Sequence, residues 1–382
     1  MEIAIIGFGV VGSGAYDTVL DGRTPLRVKR ILDLAIRPGM ESVMTTDYNE
    51  ILSDPRIEAV AEAIGGLHPA REFVLAALQA GKHVVTANKM LMATCYRELK
   101  ETASANGVQI RFTPSAGGGI PWLSSLRRTA RGGRIHKIEG ILNGTTNFIL
   151  DKMTCEAADF SEVLAEAQAL GYAEQDPSAD IDGVDVRYKT ALSCNVATGL
   201  TADPDDVEIF GIRNIRKCDV EWFSSRGRVC KLLGNGVFAA DGTVSLFVQP
   251  SLVEESSLFA SVAKNFNLVS LTGDRVGPLA FYGQGAGKDP TGFALVQDLL
   301  DLAEGSDDAP YVYRPAQVNN DACSFCYYVR SSAVSAELTA VAAETEVLGD
   351  ATVTVTVPIS VSRMHAIAKT LSEGTFIAAF KD

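Results

Sequence analysis

Residues 1–12 read MEIAIIGFGVVG. The run 2–7 (EIAIIG) is apolar after its first residue and ends on glycine, as a short strand buried on both faces of a parallel sheet does. Gly7-Phe8-Gly9-Val10-Val11-Gly12 then sets the pattern G-x-G-x-x-G between that strand and a helix expected from about Val10 to Leu20. The three glycines serve different ends. Gly7 permits the tight turn, Gly9 lets the backbone approach a pyrophosphate, and Gly12 lets helix pack on strand. The free N–H groups of the helix start suit the phosphates. Asp33 follows a second strand at 27–32 (RVKRIL), where a carboxylate takes a ribose 2′-OH. A 2′-phosphate would be repelled there and would need an arginine; the nearest are Arg30 and Arg37. NAD is therefore favoured over NADP, although Arg37 could fold back towards the site.

Outward from this unit, 57–61 and 82–86 read as further strands, with a helix over 68–80 between them, and 108–112 as a fifth strand. Strands alternating with helices argue for a parallel sheet with right-handed crossovers. The character changes at TPSAGGGIP, 113–121, which can continue neither a helix nor a central strand. Beyond it come a strand at 134–142, helices at 160–171 and 182–199, and strands at 228–238, 243–249 and near 266–282. A helix at 289–303 opens on Asp289-Pro290, proline suiting a first turn. The tail reads as a strand at 325–330, an alanine-rich helix at 334–344, strands at 346–348 and 351–357, a helix at 361–371 and a strand at 375–380. That order, β-α-β-β-α-β, is ferredoxin-like. The expected fold is α/β. A Rossmann-type nucleotide-binding domain spans 1–130, completed by a helix at about 289–305; an α+β domain spans 131–288 and a small ferredoxin-like domain 320–382.

The formal net charge of −13 excludes the clustered basic footprint of a nucleic-acid binder. No run approaches a membrane span, and the N-terminus lacks the basic start of a signal peptide. Seven cysteines, an odd number and mostly isolated, read as reduced thiols of a cytoplasmic protein. Cys323 and Cys326 form a lone C-x-x-C without the two further ligands that zinc needs. The four histidines form no metal-binding pair, so proton chemistry falls to other side chains.

The densest chemistry lies in GYAEQDPSADIDGVDVRYK, 171–189. Scattered acids usually mark a solvated face. Here Pro177 and Gly183 shape a loop, and the acids run into a helix on which Asp185 and Lys189 share a face at i and i+4. An exposed ion pair would be one reading; the other is a carboxylate cluster gripping an ammonium, with a lysine aimed at a reacting oxygen. Lys89 follows Thr86-Ala87-Asn88 at the C-terminal end of a strand, the edge where open parallel sheets bind ligands. Gly65-Gly66, ILNGTTN at 141–147 and GQGAGKDPT at 283–291 each read as turns taken singly.

Taken together, these motifs and their order resemble homoserine dehydrogenases, from Gly7 to about Ala303; the most specific pieces are ILNGTTNFIL, GYAEQDP with DIDGVDVRYK, and GQGAGKDPT. The resemblance implies a nicotinamide-dependent interconversion of L-homoserine and L-aspartate 4-semialdehyde, as in threonine, methionine and isoleucine biosynthesis. It implies that Lys189 transfers a proton at the substrate oxygen and that Lys89 stands close to nicotinamide and substrate. Glu174, Asp180 and Asp185 would line the substrate ammonium, with Gly144 and Thr145 beside the substrate. Gly7, Phe8, Gly9, Val10, Val11, Gly12, Asp33, Gly65, Lys89 and Gly285 would hold the cofactor. The family also binds a monovalent cation through backbone carbonyls, here those of Ala116, Gly118 and Ile120, and through a glutamate. Thr113 stands at the glutamate position, and a hydroxyl is a poorer partner for a hard cation. Cation binding is thus in doubt here. The 131–288 region would be catalytic and dimer-forming, giving a homodimer or dimer of dimers. The tail resembles ACT regulatory domains, except that its first turn reads Ser331-Ser332-Ala333-Val334-Ser335 where those carry Pro-Gly. A dimer-forming role for it is at least as expected as ligand binding. The competing readings are a non-catalytic nucleotide-sensing regulator, which would not need both lysines and both acids, and a semialdehyde dehydrogenase, which needs a paired nucleophilic cysteine.

Overall fold

Ile3, Ala4, Ile5 and Ile6 are fully buried, as a strand covered on both faces must be. A computed structural model describes residues 1–306 and 311–381 and divides the chain into two compact units. The first comprises Met1–Arg131, Asn195–Thr201 and Gly283–Pro315. Its sheet has six strands: β1 (Glu2–Ile6), β2 (Arg27–Leu32), β3 (Met44–Thr45), β4 (Ile57–Glu62), β5 (His83–Thr86) and β6 (Ile110–Arg111). All pair in parallel, in the order β3-β2-β1-β4-β5-β6. This is the doubly wound dinucleotide-binding order, whose ligand crevice opens at the strand C-termini where the order reverses, between β1 and β4. The expected helix Val10–Leu20 forms over that range. The two-residue β3 is too short to leave a periodic signal in the sequence.

The helix Lys288–Ala303 returns to this unit and seals its core. Leu295, Val296 and Leu299 are fully buried against Ile3, Ile5, Ala59, Ala61 and Val85. Each such side chain contributes about 1.5–3 kcal/mol of burial. Close approach to the helix Val10–Leu20 requires glycine on both sides. A Cβ on Gly14 would stand 2.2 Å from the Lys288 carbonyl oxygen, and one on Gly292 2.5 Å from the Ala15 nitrogen.

The second unit comprises Gly132–Cys194, Ala202–Tyr282 and the chain from Ala316 onward. Its strands are β7 (Ile135–Ile141), β8 (Glu208–Ile209), β9 (Arg228–Phe238), β10 (Thr243–Glu254), β11 (Phe266–Gly273), β12 (Gly277–Gln284), β13 (Gln317–Val318), β14 (Ser324–Phe325), β15 (Tyr327–Ser331), β16 (Ala342–Leu348), β17 (Ala351–Thr356), β18 (Ile359–Ser360) and β19 (Phe376–Phe380). Eleven of them form one mixed sheet along β12-β11-β7-β9-β10-β19-β15-β17-β16, with β8 and β13 also on β10. The tail strands thus extend this sheet, β19 pairing with both β10 and β15.

Several elements differ from the sequence reading: the helices Gly144–Glu156 and Lys217–Ser224 form where none was expected, and two other elements change extent. β10 runs on through Pro250 to Glu254 rather than stopping at 249. Proline has no N–H to donate, but along that edge β10 changes neighbour from β8 at Phe247–Val248 to β19 at Ser251–Leu252, so Pro250 falls between partners. The alanine-rich helix is only Ala336–Ala340, and the chain from Ala342 is strand. Pairs such as Thr345↔Thr354 and Val347↔Thr352 across to β17 override the helix propensity of Ala and Glu.

Candidate active site

In the first unit the glycine loop turns sharply off the end of β1. Gly7 has φ +89° and its N–H donates to the Leu32 carbonyl at 2.9 Å. A Cβ on Gly12 would lie 1.9 Å from the Gly7 oxygen, so no other residue lets the helix start against this turn. Gly9, the helix cap, has open space where a side chain would be, and no side chain caps the helix start. Val10 is exposed there, Val11 half-buried and Phe8 buried. Asp33 braces the loop, accepting from the Phe8 N–H at 2.9 Å and the Leu34 N–H at 2.6 Å. Arg37 does fold back. Its guanidinium donates to the Phe8 carbonyl and lies 4.5 Å from the centre of the Phe8 ring.

Across the switch point, β4 ends on the fully buried Glu62. Gly65 turns beyond it at φ +83°. Lys89, half-buried, opens the helix Lys89–Thr94, which Asn88 caps by accepting from the Leu91 N–H at 3.0 Å. Gly285 packs on the 116–120 loop so closely that a Cβ on Gly118 would stand 2.4 Å from the Gly285 oxygen. In that loop Ala116 and Ile120 are buried, and the Ile120 carbonyl accepts from the Trp122 N–H at 2.7 Å. The Thr113 N–H donates to Asp298 at 2.8 Å. Burial pushes the Asp298 carboxyl up to about 6. A hydroxyl thus stands at 113, and one of the three expected carbonyls, that of Ile120, already accepts one hydrogen bond. No group of three or more His, Cys, Asp or Glu suited to a metal occurs among the described residues.

In the second unit the motif ILNGTTN links β7 to the helix Gly144–Glu156. Gly144 is required, since a Cβ would lie 2.6 Å from the Asn265 oxygen. Asn143 caps this helix, accepting from the Thr146 N–H at 2.8 Å. Its amide nitrogen donates to Asp180 at 2.6 Å and to Asp185 at 2.9 Å. Lys189 Nζ in turn donates to Asp185 at 2.8 Å and to the Leu142 carbonyl at 2.6 Å. Asp185 and Lys189 are 3% and 8% exposed, so the i,i+4 pair is a buried cluster and not a solvated face. Such a pair stabilises little in itself, because desolvation offsets attraction, but removing one partner strands a buried charge. The Thr145 hydroxyl donates to the Tyr172 carbonyl at 2.6 Å. Glu174 sits on the same loop but is exposed, its carbonyl accepting from Gln168. Of the residues expected at the substrate, the fold thus joins Asp180, Asp185 and Lys189. It adds Asn143, which the sequence showed only as part of ILNGTTN, read there as a turn. A cavity of about 590 Å³ elsewhere in this unit, lined by Lys137, Glu139, Gln249, Phe325 and Lys381 among others, contains none of these residues.

A doubly wound parallel sheet with a bare glycine loop, and a buried lysine among carboxylates, define an oxidoreductase built on a dinucleotide-binding domain. Residues 7–113 match the family model described as the NAD-binding domain of homoserine dehydrogenase, and residues 121–300 match the homoserine dehydrogenase model itself. The homoserine dehydrogenase of Synechocystis sp. is 41% identical over 331 residues, 81% of this chain and 76% of that protein. That of Corynebacterium glutamicum is 40% identical over 79% of this chain and 71% of its own length. The crystal structure of a homoserine dehydrogenase from Thiobacillus denitrificans superposes with a TM-score of 0.89 at 31% identity, covering 100% of this chain and 98% of that one. The chain belongs to the homoserine dehydrogenase family. No helix among the described residues is long and apolar enough to cross a membrane.

Proposed function

We propose that the chain interconverts L-homoserine and L-aspartate 4-semialdehyde, with Lys189 moving the proton of the substrate oxygen. The observation that carries this reading is the cluster of buried Asn143, Asp185 and Lys189 with half-buried Asp180, Lys189 Nζ being held at 2.8 Å from Asp185. Nicotinamide dinucleotide, when bound, supplies or accepts the hydride. In the direction of reduction negative charge grows on the aldehyde oxygen; the Lys189 ammonium stabilises it and then gives up a proton. In oxidation a neutral Lys189 takes the hydroxyl proton. Because oxidation releases a proton overall, it should become more favourable as pH rises. Asp180 and Asp185, joined by the exposed Glu174, grip the substrate ammonium, and fixing that end orients the reacting carbon. Gly144 and Thr145 open a 13-residue helix whose first N–H groups suit the substrate carboxylate. Lys89 acts at the nicotinamide end. Against a purely nucleotide-sensing role stands this cluster, for which a sensor has no use.

For the cofactor, Asp33 supports NAD through the ribose 2′-OH. Arg37, folded onto the same loop, gives NADP a place as well, so both serve and NAD serves better. Thr113 and the engaged Ile120 carbonyl support a reaction without a cation requirement. The mixed sheet of the second unit suits a homodimer, and seven cysteines outside any disulfide suit a reducing cytoplasm. The test is the initial rate of homoserine-dependent cofactor reduction with NAD and with NADP, with and without added sodium or potassium. The reading expects turnover with both cofactors, NAD ahead, and no cation effect; no turnover with either would return the chain to nucleotide sensing.

A further inference from the structure

We propose that Glu62 is the positioning residue of the nicotinamide half of the site, its buried carboxylate locking the Gly65 turn and the Lys89 turn together beside the dinucleotide loop. The proposal rests on the dinucleotide-binding reading above and adds a residue with no role so far.

Glu62 ends β4 and is fully buried. One of its carboxylate oxygens accepts from the Ile64 N–H at 2.7 Å and the Gly65 N–H at 3.2 Å, and the other from the Thr86 hydroxyl. Thr86 stands opposite it in the β4–β5 register. The Thr86 oxygen also accepts from the Asn88 N–H at 2.9 Å. Asn88 closes the circuit, donating to the Gly66 carbonyl at 2.6 Å while capping the helix that starts at Lys89. The two turns beyond β4 and β5 are thus tied to one carboxylate.

The location matters as much as the bonding. A Cβ on Gly7 would meet the backbone of Ala63 and Ile64 at 3.0 Å, so the Glu62 turn forms the wall of the glycine loop at the switch point. In this topology the β1–β3 half takes one nucleotide and the β4–β6 half the other. Asp33, after β2, marks the adenosine side, which leaves the Gly65 and Lys89 turns to the nicotinamide side. Burying a carboxylate costs free energy that an apolar residue at a strand end would not. A carboxylate accepts at both oxygens; glutamine would keep an oxygen for the Ile64 and Gly65 N–H groups but turn its NH₂ towards the Thr86 hydroxyl, which already accepts from Asn88 and would have to give up its own donation. The cost is offset where two ligand-facing turns must hold one geometry.

Titration calorimetry on Glu62→Gln and Thr86→Val, with NADH and with ADP-ribose, separates the possibilities, since ADP-ribose lacks only the nicotinamide. Glu62→Gln should weaken NADH binding about tenfold or more while ADP-ribose stays within about twofold. Thr86→Val, which removes the donor to Glu62 and the acceptor of the Asn88 N–H, should show the same split and decides the matter if Glu62→Gln does not fold. Equal weakening of both ligands, or of neither, overturns the proposal. Binding needs no turnover, so failure here is distinct from failure of wild-type homoserine oxidation.

Discussion

At the scale of single residues, the site depends on how one amide serves two ends. Asn143 caps a helix with its oxygen and bridges Asp180 and Asp185 with its nitrogen. These two roles can be separated. Asn143→Ala loses both, and should lower stability by about 1 kcal/mol and raise KM for homoserine about tenfold. Asn143→Ser keeps a capping oxygen and should recover the melting temperature without recovering KM; recovery of both would make Asn143 a cap alone. Asp185 and Lys189 were legible in the sequence because i,i+4 spacing is a local rule. Burial is not local: it comes from the fold around the pair, and it turns an unremarkable surface motif into a buried ion pair. Asn143 stood within a quoted motif but showed no reason to face two acids some forty positions on. Glu174, expected beside those acids, is exposed on its loop.

At the scale of elements, Gly14 and Gly292 are set by contact between two helices of the first unit. Gly14→Ala would drive a Cβ to 2.2 Å from the Lys288 oxygen, forcing two helices apart at a cost of about 1–3 kcal/mol. A melting temperature unchanged in Gly14→Ala would contradict that packing. The helix Val361–Thr370 carries a pH-dependent contact of the opposite kind. His365 is buried, 3.1 Å from the Gln249 side-chain oxygen, and burial pushes its pKa from 6.5 down to about 4. The unfolded chain therefore binds this proton more readily than the folded one. Stability from a neutral His365 is full above about pH 6.5 and is lost as pH falls towards about 4. Thermal melts across that window should show a smaller decline for His365→Gln than for the wild type; an equal decline would leave His365 out. Most elements were readable from period and punctuation. Three of the failures have definite causes: β3 is too short for a period, β10 crosses a proline that falls between partners, and β16 is made strand by cross-strand pairing; the helices Gly144–Glu156 and Lys217–Ser224 went unread.

At the scale of the whole molecule, the residues expected at the cofactor lie in the first unit and those expected at the substrate in the second, and the sequence announced both sets. Strand, glycine loop, helix and acid occur in the order that the first unit needs, so its topology could be inferred before any contact was known. The large sheet of the second unit could not, because its strand order β12-β11-β7-β9-β10-β19-β15-β17-β16 joins segments far apart in the chain. Cofactor choice lies between these extremes. Asp33 was legible, whereas the fold-back of Arg37 onto Phe8 is a tertiary contact. Arg37→Ala should lower kcat/KM for NADP about tenfold and leave that for NAD within about twofold. Equal losses with both cofactors would make Arg37 a brace of the loop and nothing more.

The most direct test of the account is the initial rate of homoserine oxidation by Lys189→Ala beside the wild type, at saturating NAD, with NADH affinity measured on the same samples. The account predicts that turnover falls by about 10²–10⁴ while NADH affinity stays within about twofold. Turnover near the wild-type rate, in a variant that binds NADH normally, would contradict it.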